Sequence, residues 1–525
     1  MLQLVRGPTR KENLLDLVLT NIDDCKASIL EPIADHRAIT ATIKLPMPKE
    51  VVVQRDVWHF KQAAWKNMRC QLKNQCWARL KHGTVDDAVN YFVDLLTAVC
   101  REYIPRKTIQ CHKKTHPWLT DSCCKAIDEK NAAIDSESFE GKQSLCAEKL
   151  KNAYKEYLDD LKKRIAGLSK SDKRWWTLNR ELLQKKAKIS NIPPLKTADG
   201  RWLLDDLEKA NEFATSFAAK FALPALSEDQ YVPRPSHLQK EFIAIRSRSV
   251  LKILRDLDVN VATGEDEIGA RILKELSDVL AYPIAVLSRR ILFEGCWPER
   301  WRSHLLIPIY KKYSVYVANH YRGIHLTTIL SKVVERSIGN PLIAHLQSHG
   351  FGDHQWAFRK MSSARDLLTV CVSAWILAFC RGCKVGLYLS DITAAFDRVF
   401  KDFLMAKLLS AGVANVFLDF LSSYLEPRVG RVAVGGVLSD LITLDDMVFQ
   451  GTVLGPVLWN TFFNDVADAA SWHGGTPETF ADDLAVHKCF DKDVDNSIIE
   501  LNLKHTHEKV HHWERRHRLE FPQTD

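Results

Sequence analysis

Apolar and polar positions follow two rhythms along the chain, and the change of rhythm divides it. Residues 14–20 (LLDLVLT) and 34–45 (ADHRAITATIKL) read as strands, with a polar turn before the second. From about 56 to 190 the apolar spacing is helical and the intervening positions are charged. The pattern breaks at Pro193-Pro194; an ADG turn then leads into a helix expected over about 205–221. Residues 222–236 carry Pro224, Pro233 and Pro235 and read as a linker. From 237 onward apolar helices alternate with short β-rich segments, as in an α+β domain. The apolar run at 367–380 (LLTVCVSAWILAFC) falls short of the ~18 residues a membrane span needs, and reads as a buried helix.

Composition adds little until it is localised. The chain has 525 residues, 46% hydrophobic and 26% charged, ordinary for a globular protein with more than one domain. Its net charge is +8. Residues 141–190 alone hold 14 Lys or Arg against 6 Asp or Glu, a local excess as large as that of the whole chain. Tyr154, Tyr157, Trp175 and Trp176 lie among these charges. Basic residues interleaved with aromatics suit phosphate contact and base stacking, and equally suit a solvated helical face whose rings pack inward. Thirteen scattered cysteines fit free thiols in a reducing compartment better than a disulfide framework. The opening MLQLVRGPTRKEN turns charged too early for a secretory signal. Cys111, His112, His116, Cys123 and Cys124 invite a zinc reading, but their spacing matches no usual finger.

The candidate chemistry lies in three segments. In TFADDLAVHK (479–488) two adjacent carboxylates, Asp482 and Asp483, interrupt an apolar strand–turn–strand pattern. Buried carboxylates need a partner, and a divalent cation sharing its site with phosphates is one. In VGLYLSDITAAFDRVF (385–400) a strand ends at Asp391, with a helix-like AAFDRVF after it. Between them, FQGTVLGPVLWNTFFNDV (449–466) places Gln450-Gly451 in a loop before an apolar helix. Each segment alone reads equally as a cap, a turn or a loop.

In this order the three resemble motifs A, B and C of reverse transcriptases, most closely those of non-LTR (LINE-type) retrotransposons. Ala481 before the two aspartates favours that side over the Gly-Asp-Asp of viral RNA-directed RNA polymerases. Further stretches are similar to family blocks: ATGEDEIGARILKEL (262–276) to "GPDGIP…LK", the segment 301–338 to "IPI-KK…NYRPISL", and QWAFRKMSSARDLL (355–368) to "QFGFRPGRSTTDAI". PWLTDSCCKAI resembles the family's "PWLT" turn. LLDLVLT with ADHRA resembles the end of an apurinic-type endonuclease domain.

The resemblance implies an α+β right-hand polymerase: fingers and palm with an antiparallel palm sheet over 237–525, ending near motif D with the thumb truncated. A helical basic linker region over 46–236 and an endonuclease remnant over 1–45 would precede it. It implies RNA-directed DNA synthesis on an RNA template from a DNA primer and dNTPs, with no membrane. Two Mg²⁺ ions, or Mn²⁺ in their place, would be held by Asp391, Asp482 and Asp483. Lys312, Arg322, Phe396, Gln450 and Gly451 would face the nucleotide, with Phe396 as the steric gate against a ribose 2′-hydroxyl, and Arg359 would lie on the template side. Asp16, Asp35 and His36 would belong to the endonuclease remnant. Localisation, nuclear or cytoplasmic, follows from the family alone. The sequence departs from the family at Gly323 and Phe449, both in place of Pro, and in RKMSSA, which lacks a second Arg. With the missing blocks, these departures leave a second reading open: a truncated, inactive copy that still holds nucleic acid.

Overall fold

The computed structural model describes residues 2–21, 25–32, 35–43, 53–111, 118–133, 137–169, 172–184, 192–221, 244–392, 395–445, 448–471 and 474–519. The linker expected at 222–236, His112, His116 and the 520–525 end of the motif D segment lie outside the described residues. The chain forms two units, residues 1–55 with 108–189, and residues 56–107 with 190–525. Residues 56–107 thus pack with the body that follows residue 237, not with the basic helices.

In the first unit, Cys25–Pro32 pairs antiparallel with Arg37–Ile43. The strand expected at 14–20 shrinks to Leu19–Thr20, paired with Leu2–Gln3. The cause is local: the Thr9 hydroxyl accepts the Leu15 and Asp16 N–H groups, each at 3.0 Å, so these donors are not available to a ladder. The charged stretch forms helices Asp121–Ala132, Phe139–Ala166 and Lys173–Gln184. Its aromatics mostly pack against neighbours. Tyr157 donates to Glu181 at 2.6 Å and Tyr154 meets Trp118 edge-on, while Trp176 is 60% exposed.

In the second unit, α1 (Val85–Tyr103) opens on a Thr84–Asp87 capping box and buries one apolar face. It packs near α3 (Ser277–Phe293), which lies in a large core with α4 (Ile329–His349) and α7 (Gly455–Phe463). A mixed sheet orders β2 (Tyr321–Leu326), β1 (Ser303–Tyr310) and β4 (Arg428–Val434), with β1 and β4 parallel and β5 (Ile442–Leu444) antiparallel on β4. Under it, α2 (Asp206–Phe221), the expected helix, places Phe213 and Phe217 against Leu306, Tyr321 and Val432.

The second sheet carries the motifs. It is antiparallel, ordered β3 (Lys384–Ser390), β7 (Asp483–Phe490), β6 (Thr476–Phe480). The helix expected after Asp391 is a single 3₁₀ turn at Ala395–Asp397; α6 starts only at Lys401 and ends at Ser410. The Phe396 carbonyl accepts the Val448 N–H at 3.0 Å instead of continuing a helical ladder. The expected buried helix at 367–380 is present as α5 (Ala364–Cys380), but it is not buried. Only Cys371 and Ala378 are, while Leu368, Ile376, Leu377 and Phe379 are all more than half exposed. The helix is apolar all round, and only a narrow face meets β3 and β6. Among the described residues no helix is long and apolar enough to cross a membrane.

Candidate active site

The strand pairing sets the carboxylates. β3 and β7 run in register through Ser390 opposite Leu484, and Asp391, next along the chain, is close enough for its charge to act on both Asp482 and Asp483. β6 and β7 close at Phe480 opposite Asp483, leaving Ala481 and Asp482 as a two-residue tip. Burial raises both the Asp482 and the Asp483 carboxyls, and the negative charge of Asp391 raises each further. Asp482 also feels Asp483. Among the described residues no three His, Cys, Asp or Glu side chains converge as a preformed metal cage. The donor set nonetheless suits a hard divalent cation: oxygen ligands only, like-charged, and repelling one another until neutralised.

The tip has an unusual backbone. Ala481 has φ of 59°, a left-handed conformation that costs an L-residue about 1–2 kcal/mol. Its peptide groups are held from outside the hairpin. The Ala481 N–H donates to Gln355 Oε1 at 3.0 Å, and its carbonyl accepts Gln355 Nε2 at 3.3 Å and Trp459 Nε1 at 3.0 Å. Phe396 stacks on Trp459, centroids 5.3 Å apart, so the residue expected to be the gate and the Asp482 hairpin share one indole.

Basic groups face these acids. Arg322, exposed on β2, pulls down the Asp482 carboxyl against the larger effect of burial, and Lys311 does the same for Asp483. The neighbouring Lys312, the lysine expected to face the nucleotide, holds its ammonium 4.9 Å from the Tyr313 ring centroid. Lys220, on α2, donates to the Asn319 and Tyr321 carbonyls at 3.0 Å each. Together with Arg322 and Arg398 it faces Asp397, whose carboxyl burial pushes up to about 6 although part of the residue still meets solvent. Asp397 accepts Gln450 Nε2 at 2.9 Å, joining the motif A segment to the QG loop. Sequence reasoning missed Lys220, Lys311, Asp397 and Gln355. Asp397 directly follows the gate position, a signal that was in view.

A buried polar cluster supports the QG loop. Glu335 Oε1 accepts the Val453 and Leu454 N–H groups, each at 2.8 Å, and the Tyr424 hydroxyl at 2.7 Å. Arg428 donates to His304 Nε2 at 2.9 Å and to the Tyr424 carbonyl at 2.8 Å, and its guanidinium lies 3.7 Å from the Phe449 centroid. His304 and His325 share a proton position at 2.9 Å between their Nδ1 atoms. Phe449, in place of the family's Pro, therefore fills a cation–π site. Gly451 has φ of +86°, and a Cβ there would meet the His325 carbonyl oxygen at 2.7 Å, so the loop backbone can lie this close only as glycine.

Arg359 is engaged by its own loop: it donates to the Gly352 carbonyl at 3.0 Å and the Gln355 carbonyl at 3.2 Å, with Asp353 beside it. In the first unit His36 Nδ1 lies 2.7 Å from Asp16, while Asp35 pairs with Arg10 at 2.8 Å.

Comparison with known proteins agrees with this geometry. Residues 309–524 match the family model described as reverse transcriptase (RNA-dependent DNA polymerase). The chain is 28% identical over 316 residues to the RNA-directed DNA polymerase from mobile element jockey of Drosophila melanogaster, covering 57% of this chain and 34% of that protein. It is 25% identical over 307 residues to the jockey polymerase of Drosophila funebris, covering 56% and 33%. It is 32% identical over 121 residues to the Pol polyprotein from type-1 retrotransposable element R2 of Popillia japonica, covering 21% and 20%. The chain spans about a third of the length of the jockey relatives it matches. Over residues 309–524 the chain is therefore similar to reverse transcriptase domains, and its relatives there are of the non-LTR retrotransposon type.

Proposed function

We propose that this domain extends a DNA primer on an RNA template, with the β3–β7–β6 sheet as its palm and β1 and β2 as part of its fingers. The observation that carries the reading is the register that ends at Ser390 opposite Leu484, bringing Asp391 near Asp483 with Asp482 at the adjoining tip. These three would hold two Mg²⁺ ions, or Mn²⁺ in their place. Bound there, the ions would supply a lowered pKa at the primer 3′-hydroxyl and positive charge for the departing pyrophosphate. The chain's own groups do the rest. Arg322 and Lys311 orient the triphosphate through charge-assisted hydrogen bonds. Phe396, braced on Trp459, closes the space a ribose 2′-hydroxyl would need. Gln450, fixed by Asp397, presents its remaining amide atoms to the nucleotide side of the loop. In the first unit, the Asp16–His36 pair supports reading residues 1–45 as part of an endonuclease domain.

The test is primer extension by the purified chain on an RNA template with Mg²⁺ and dNTPs, beside Asp482→Asn. Extension by the parent and none by the variant is the expected result. Retention of RNA with no extension by either chain would instead favour the inactive, nucleic-acid-holding copy.

A further inference from the structure

The stretch 354–357 packs on the catalytic hairpin as a short added strand. Gln355 bridges Thr479 in parallel; the Thr479 N–H donates to the His354 carbonyl at 2.8 Å and the Trp356 N–H to the Thr479 carbonyl at 3.0 Å. Trp356 Nε1 also donates to Glu478 at 2.6 Å. Gln355 is 2% exposed, so its amide must find protein partners. It finds them on one residue of the tip. Oε1 accepts the Ala481 N–H and Nε2 donates to the Ala481 carbonyl, while Oε1 also accepts the Ala357 N–H at 3.0 Å. A two-residue hairpin tip has no ladder partner for these groups, and Ala481 holds a positive φ without being glycine. Left to itself, the tip would relax toward φ < 0 and swing Asp482.

We propose that Gln355 is a positioning residue for the metal-binding carboxylates: its side-chain amide clamps the Ala481 peptide and thereby fixes where Asp482 and Asp483 point. This rests on the reading of Asp391, Asp482 and Asp483 as the catalytic set, and adds to it what holds that set. The clamp is itself anchored, since Arg359 donates to the Gln355 carbonyl, which gives Arg359 a role behind the hairpin. Trp459 acts as a second jaw on the same carbonyl, so the tip, the clamp and the Phe396 ring move as one assembly.

The experiment uses the full chain and four variants: Gln355→Ala, Gln355→Glu, Gln355→Ala with Ala481→Gly, and Asp482→Asn. Three readouts are taken: hydrogen–deuterium exchange of peptides spanning 479–484, Mn²⁺ binding by electron paramagnetic resonance, and steady-state primer extension. Gln355→Ala should speed exchange at 479–484 but not in the α3 and α4 core, and weaken Mn²⁺ binding. Because misplacing a reactive group by about 1 Å can cost 10²-fold, kcat should fall about 10- to 100-fold. KM for dNTP should stay within about twofold, since substrate-binding groups are untouched. Gln355→Glu keeps the acceptor but sets oxygen against the Ala481 carbonyl, and should act in the same direction even if the alanine variant folds poorly. Ala481→Gly should restore part of the lost kcat, because glycine holds the positive φ unaided. Wild-type exchange at 479–484 and wild-type kcat in both single variants would overturn the clamp. So would a loss spread over the whole exchange map that Ala481→Gly does not relieve. A parent chain that neither binds Mn²⁺ nor extends a primer would overturn the catalytic reading instead, while exchange at 479–484 would still decide the clamp.

Discussion

Two places in the second unit bury charge, and they do it in opposite ways. Around the QG loop, Glu335 and Arg428, each 2% exposed, are linked through Tyr424, whose hydroxyl donates to Glu335 and whose carbonyl accepts from Arg428, while Arg428 also donates to His304. At the hairpin, burial raises the Asp482 and Asp483 carboxyls, and the like charge of Asp391 raises both further. The first cluster sets base beside acid inside the fold, with the buried Arg428 Nε left without a hydrogen-bond partner among the described residues. The second is left in debt by one or more positive charges. Charge that the fold balances itself is support for a loop; charge that it leaves unbalanced marks where a ligand belongs.

The contrast can be broken at its sharpest point. Asp482→Asn should lower extension more than about 10³-fold, as loss of a direct electrostatic contact at a reacting centre does. The same change should leave the melting temperature unchanged or raise it, because it removes repulsion, and it should abolish any Mg²⁺-dependent rise in melting temperature. Arg428→Met should do the reverse. Removing one partner of a buried opposite-charge cluster costs about 3–5 kcal/mol, read as a lower denaturation midpoint, with Mg²⁺ stabilisation retained.

Asp397 lies between the two cases, since it is buried with one amide partner and has cations nearby. Its folded pKa, about 6, stands above the ordinary carboxylate value of 3.8. The folded state therefore holds the proton more tightly, and stability falls as pH rises from about 4 through 6, leaving a penalty of order 1–3 kcal/mol at neutral pH. Asp397→Asn should flatten that window and raise the neutral-pH midpoint, as urea titrations at pH 4, 5, 6 and 7 would read. The smallest expected effect separates two adjacent lysines. Lys311→Ala should raise KM for dNTP several-fold, as loss of one exposed phosphate contact does, and Lys312→Ala should barely move it.

The three aspartates were legible because adjacent carboxylates in an apolar strand have few physical excuses, and because their order along the chain with the QG loop is specific. Lys311 was not singled out because it stands beside Lys312 just past the end of β1, and local pattern does not say which of two adjacent lysines lies near the acids. Gln355 opens a stretch similar to a family block, but its role was not legible, since a neutral amide whose partners are backbone atoms 126 residues away leaves no trace in local pattern. The turn at Ala395–Asp397 was read as a helix because its propensity is helical; the Val448 N–H that overrides it is likewise remote. The α5 helix was placed inside because apolar content is a local quantity and burial is not.

That helix has a practical consequence. Leu368, Ile376, Leu377 and Phe379 stand in solvent along α5, with Leu389 exposed on the neighbouring strand. A contiguous greasy surface of this kind governs colloidal behaviour more than net charge does. Preparations of this chain should become turbid first under salting-out conditions, which strengthen apolar association, and should clear with mild non-ionic detergent. Handling conditions for every assay above are therefore set by the exposed apolar side chains of α5.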